Sequence, residues 1–188
     1  MYKLCHTEES SKRQRELENG LLTAMTKQPY EKITLTELCR QLKIPRKSFY
    51  RYFPTKEDCL LALIDHTLSD CNMVALKGWT GGRTLDSQAQ LRFFRYWQEH
   101  SALLDVIRDN GFQHLLLERT TVIVDRMKEN SLPASFAQDQ MEYFIAHGLI
   151  STVIRWHQFG FQSTPEEMAA VFEDFLNAAR VSLSRLLL

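Results

Sequence analysis

"IPRKSFYRYFPTKEDCL", residues 44–60, sets four basic residues and four aromatic rings into its first thirteen positions, with no acid before Glu57. Pro45 suits the first turn of a helix, where its missing N–H would be unbonded in any case. Pro54 stops that helix, so it is short, running from Pro45 to about Phe53. Phe49 and Phe53 stand four apart and can face a core together, which leaves Arg46, Lys47, Ser48, Tyr50 and Arg51 toward solvent. Just upstream, "TLTELCRQL" (residues 34–42) opens with Thr34 three residues before Glu37, a capping-box pattern, and carries Leu38 and Leu42 as an i, i+4 pair. Two helices joined by a tight turn make a helix-turn-helix candidate over about 33–52. In such a unit the second helix enters the major groove with its N-terminal residues near the base edges. Arg46 and Lys47 suit guanine O6 and N7, the hydroxyls of Ser48 and Tyr50 suit phosphates or bases, and Thr34 and Lys56 can pin flanking phosphates. A solvated helix face over buried rings is the plainer alternative, and spacing alone leaves it open.

Composition narrows the class. Of 188 residues, 44% are hydrophobic and 24% charged, an ordinary globular balance that can bury a core. The longest apolar runs, such as residues 115–117, are far too short to span a bilayer, and the start of the chain is polar and charged; the expectation is a cytoplasmic protein with no membrane partner. The four cysteines show no C-x-x-C pair or zinc spacing, and the six histidines show no ligand spacing on one helix face, so no metal or cofactor is expected. Cys39 and Cys59 fall at apolar positions and read as small hydrophobes. No phosphate-binding glycine loop, G-x-S-x-G or H-E-x-x-H is present, which argues against an enzyme. The net charge of zero hides an asymmetry: residues 1–60 carry 12 Lys and Arg against 8 Asp and Glu, and residues 61–188 carry 11 against 15. A basic front half suits a polyanionic partner.

Nearly every segment has helical periodicity, and none alternates as a strand would, so the pattern predicts an all-α chain of about nine helices. Thr55, followed by Glu57 and Asp58, predicts a capped helix over residues 55–75. Residues 78–86 and 130–135 read as loops. A long helix follows from Phe136 to about Phe159. Met141, Phe144, Ile145, Gly148, Leu149, Thr152, Val153 and Trp156 form one apolar stripe on it, and Ile150, Ile154 and Phe161 extend a second. "TPEE" (residues 164–167) marks the start of the last helix.

Residues 33–60 resemble the DNA-binding motif of the TetR family of bacterial transcriptional regulators. Thr34, Leu38, Leu42, Ile44, Phe49-Tyr50, Tyr52-Phe53, Lys56-Glu57 and Leu60 occupy the family's pattern positions. Two departures stand out: Lys43 sits where a turn glycine is usual and Pro45 where a serine is usual. The resemblance implies a DNA-binding domain over 8–68 and an effector-binding and dimerisation domain over 69–188. It places Thr34, Tyr50, Tyr52 and Lys56 on phosphates and Arg46, Lys47 and Ser48 nearer the bases, with packing between helices as an alternative for Tyr50 and an equal one for Tyr52. More weakly, residues 146–172 resemble the end of the family's regulatory domain, which implies a homodimer on a palindrome-like double-stranded operator. The implied interface comprises Ile150, Ile154, Phe172, Phe175, Ala179 and Leu183. A small-molecule effector pocket is implied around Phe93, Phe94, Trp97, Phe112, Tyr143 and His147, against plain core as the bland reading. The functional expectation is a repressor released by its effector; the alternative is an activator, or a regulator answering to a protein partner.

Overall fold

The computed structural model describes residues 2, 5, 7–75, 87–128 and 136–186, the side chains of 136–138 and 179–186 excepted. The expected loops at 78–86 and 130–135 lie outside the described residues. Nine α-helices and no strand occur among the described residues. They are α1 (Glu8–Met25), α2 (Leu35–Gln41), α3 (Arg46–Tyr50), α4 (Lys56–Ala75), α5 (Ser87–Glu99), α6 (Ser101–Asp109), α7 (Gln113–Lys128), α8 (Phe136–Gln158) and α9 (Pro165–Leu186), with a 3₁₀ turn at Tyr30–Lys32. None of these helices is long and apolar enough to cross a membrane.

The boundaries follow local chemistry. Thr7 and Ser10 satisfy each other's backbone N–H groups at the start of α1. The Thr55 hydroxyl accepts from Asp58 N at 3.0 Å before α4. Thr164 and Glu167 form a reciprocal box at the start of α9, at 2.8 and 3.2 Å. At α2 only half of the anticipated box forms: Thr34 accepts from Glu37 N at 3.2 Å, while the Glu37 carboxylate accepts from Gln41 Nε2 at 3.5 Å.

The chain divides into two compact units, Met1–Leu68 with Ala102–Ile150, and Ser69–Ser101 with Ser151–Leu188. The first unit buries Leu17 and Leu21 of α1, Leu38 of α2, Phe49 of α3, Phe53, and Leu60 and Ile64 of α4, all 1% exposed or less. Each such side chain removed from water contributes roughly 1.5–3 kcal/mol. Deeper in this unit, Asp65 of α4 is fully buried. Arg119 of α7 grips it at 2.5 and 2.6 Å, Arg126 approaches to 3.3 Å, and the Tyr2 hydroxyl donates to it at 2.5 Å. His66 Nδ1 lies 2.9 Å from the Glu18 carboxylate and ties α4 to α1.

In the second unit α5 lies against α9, with Phe94 edge-on to Trp156 and Phe172 at centroid distances of 5.7 and 6.5 Å. Arg92 of α5 donates to the Val74 and Ala75 carbonyls, which have no acceptor duty left inside α4. Cys39, Cys59 and Cys71 are buried free thiols, and burial pushes all three up in pKa, away from the reactive thiolate.

Candidate nucleic-acid interface

The turn between α2 and α3 is a Schellman cap. Ile44 N donates to Cys39 O at 3.0 Å and Lys43 N to Arg40 O at 3.1 Å, with Lys43 held at φ 53°. The left-handed position is the one where a glycine is at no disadvantage, so the lysine here is conformationally costly by roughly 1–2 kcal/mol. Pro45 is the N-cap of α3, so the helix starts at Arg46, one residue later than anticipated, and it ends at Tyr50. Residues 51–53 leave it as a turn bonded to Phe49 O, because Pro54 disfavours helical geometry in the residue before it.

Phe49 and Phe53 are fully buried, with centroids 5.5 Å apart, and they anchor α3 from below. Arg46, Lys47 and Tyr50 are exposed, Ser48 is half-buried, and Thr34 is exposed at the start of α2. Arg46 Nη2 donates to the Tyr50 hydroxyl at 3.0 Å, and its guanidinium lies 5.7 Å from that ring's centroid. Next to α3, Arg51 repeats the arrangement on Tyr52, at 2.9 Å and 5.2 Å. Among the described residues none of Arg46, Lys47 and Arg51 forms an ion pair, so their charge is available to an external anion.

Two of the anticipated phosphate contacts have internal duties. Tyr52 is only 5% exposed, and its hydroxyl already accepts from Arg51. Lys56 donates to Tyr30 O at 2.6 Å and Ile33 O at 2.7 Å and sits 3.9 Å from the Tyr30 ring centroid. Burial lowers its pKa. One ammonium hydrogen remains for a phosphate.

The six anticipated pocket residues fall three to each unit. Phe94 and Trp97 are wholly buried and Phe93 nearly so, in edge-to-face contacts with one another. Phe112 stands edge-on to Tyr30 at 5.2 Å. The Tyr143 hydroxyl donates to Asp125, and Lys128 lies 4.0 Å from the Tyr143 ring centroid. His147 Nδ1 donates to Tyr143 O at 2.9 Å, and its Nε2 lies 3.1 Å from the Thr121 hydroxyl. The second unit has an open groove of about 480 Å³ lined by Arg155, Trp156, Phe159 and Met168, none of them anticipated.

On α8 the two apolar stripes divide differently from the sequence pattern. Leu149, Ile150, Val153 and Trp156 are buried, whereas Met141, Phe144 and Gly148 are exposed, Phe144 by 62%. Ile150 is thus taken up inside its own chain, and Ile154 and Phe172 are half-buried. On α9, Val171 and Phe175 project, Phe175 with 53% exposure. The side chains of Ala179 and Leu183 lie outside the described residues. Sequence reading missed Tyr30, Asn110 and the Asp65 cluster, because their partners are 54 to 80 residues away and leave no local signal.

The profile described as bacterial regulatory proteins of the tetR family matches residues 22–63, and one described as a transcriptional regulator C-terminal region matches residues 87–178. Among solved structures, the dihydroxyacetone kinase operon activator DhaS is similar with a TM-score of 0.61 and 18% identity, over 88% of this chain and 94% of that one. Lin0861 from Listeria innocua gives a TM-score of 0.65 and 19% identity, over 95% of each chain. At these identities the likeness is one of fold. No curated protein matches the sequence. With profile matches over residues 22–63 and 87–178, and helices but no strand among its described residues, the chain belongs to the TetR family of bacterial transcriptional regulators.

Proposed function

We propose that the chain binds a palindrome-like operator as a homodimer and represses until a small effector, held within residues 69–188, releases it. Residues 8–68 serve as the DNA-binding domain. The observation that carries this reading is α3: Arg46, Lys47 and Tyr50 are exposed and Ser48 half-buried, with no ion pair to Arg46 or Lys47 among the described residues, over rings that fix its position. Paired subunits would set two such helices about 34–36 Å apart, one DNA turn. In the second unit Val171 and Phe175 on α9 supply exposed surface for a second copy, with Ile154 and Phe172 half-buried; in the first unit Phe144 on α8 is exposed.

Selecting duplexes from random sequence with the purified protein tests the reading, since it reports both affinity and symmetry. A two-fold symmetric site supports it; no salt-sensitive retention of any duplex rejects it. Phe175→Asp should separate the dimer in light scattering, and an unchanged mass would remove α9 from the interface. A second reading, activation or control by a protein partner, is favoured by Phe93, Phe94 and Trp97 being packed against one another. DhaS, similar in fold, is itself described as an operon activator. Transcription from a promoter carrying the selected site, with and without the protein, separates repressor from activator.

A further inference from the structure

Tyr30 begins the 3₁₀ turn leading into α2, and both polar groups of its main chain are bonded beyond the helix-turn-helix. Its N–H donates to Asn110 Oδ1 at 2.7 Å, across 80 residues of sequence. Its carbonyl accepts from Lys56 of α4 at 2.6 Å. The ring is wedged between the Lys56 ammonium, 3.9 Å from its centroid, and the edge of Phe112, at 5.2 Å.

The Asn110 side of this joint is stiff. Asn110 Nδ2 donates to Val106 O at 2.7 Å, so one end of the amide is fixed to α6 while the other receives Tyr30. The corner between α6 and α7 is a Schellman turn, with Phe112 N on Ile107 O at 2.8 Å and Gly111 at φ 70°. The other side is equally short of slack. The turn carries Lys32 N on Pro29 O at 3.0 Å and Ile33 N on Tyr30 O at 3.1 Å, and Thr34 caps α2 directly after it.

We propose that Tyr30 is the joint through which the α6–α7 corner sets the angle of the helix-turn-helix, so that Asn110 is a positioning residue for operator binding although it belongs to neither α2 nor α3. A displaced corner is passed through a turn with no free length, and base-edge hydrogen bonds weaken steeply with misalignment. Phosphate attraction is far less sensitive to angle. The inference rests on the reading of α3 as the DNA-contacting helix.

The test compares a duplex selected by the wild-type chain with an unrelated duplex of equal length, by fluorescence anisotropy at one salt concentration. Asn110→Ala should bind the selected duplex about five- to tenfold more weakly and the unrelated duplex unchanged. Asn110→Asp keeps an oxygen facing the Tyr30 N–H but loses the bond to Val106 O, so it should recover no more than part of the loss. Phe112→Leu should act in the same direction by a smaller factor, and it decides the matter if Asn110→Ala does not fold. The joint is overturned by an alanine variant within about twofold of wild type on the selected duplex, or by equal losses on both duplexes. With an unfolded alanine variant, wild-type affinity in Phe112→Leu overturns it. A wild-type chain that retains no duplex at all overturns the DNA-binding reading along with it.

Discussion

Two sets of arginines do opposite work in this protein. Arg119 and Arg126 reach Asp65, a carboxylate with no exposed surface, and the Tyr2 hydroxyl completes its shell. Arg46 and Arg51 stand in solvent and rest on tyrosine hydroxyls, with no ion pair among the described residues. A buried carboxylate has lost its water, so its cations are committed to it: withdrawing one strands a charge at low dielectric. A cation resting on a neutral hydroxyl is held in shape but keeps its charge unspent. The same residue type is therefore a structural tie in α7 and a cation with its charge uncommitted in α3, and the partner decides which.

The contrast can be broken by mutation. Asp65→Ala should have the largest effect, destabilising the chain by about 3–5 kcal/mol in urea unfolding, because Arg119, with little exposure, loses its counter-charge. A loss under about 1 kcal/mol would mean that the cluster is not a tie. Arg46→Ala with Lys47→Ala should leave unfolding within about 0.5 kcal/mol of wild type while weakening operator binding by about 2–3 kcal/mol and flattening its salt dependence. Equal operator affinity at matched salt would put α3 in the same class as α7.

Tyr2 sharpens the buried side through pH. Burial first, and then its bond to Asp65, raise its pKa from 10.0 to about 12. Its contribution is fully present below pH 10 and is lost as the pH rises through about 12, on the order of 2 kcal/mol in all. Tyr2→Phe should remove that part of the alkaline loss, and identical profiles for the two proteins would contradict the assignment.

The smallest expected effect is at Lys43, an exposed cation in a left-handed backbone position. Lys43→Gly should stabilise the chain by about 1 kcal/mol in thermal unfolding through relief of that conformation. If the side chain also serves the polyanion, operator binding should weaken at the same time and its salt slope should fall by about one. Gained stability with unchanged salt slope would exclude Lys43 from the interface.

What could be read without coordinates was what depends on near neighbours. Thr55 and Thr164 cap helices because their hydroxyls reach N–H groups three residues on, and Pro54 ends α3 by acting on its own neighbour. Phe49 and Phe53 face inward together because four residues are about one turn. These short-range rules sufficed for an all-helical chain and for the α2–turn–α3 motif. Tertiary structure decided the rest. Periodicity marks α8 as apolar on two sides but carries no sign for which is inner, and only the neighbouring helices put Ile150 inside and Phe144 outside. Lys56 looks like any exposed lysine until the carbonyls of Tyr30 and Ile33 are brought to it. Asp65 chooses Arg119 across 54 residues and Tyr30 chooses Asn110 across 80. Local sequence sets the conformation of each turn because its backbone bonds span five residues or fewer; the partner of a buried charge or an idle N–H is set by whatever the folded chain brings within about 3 Å.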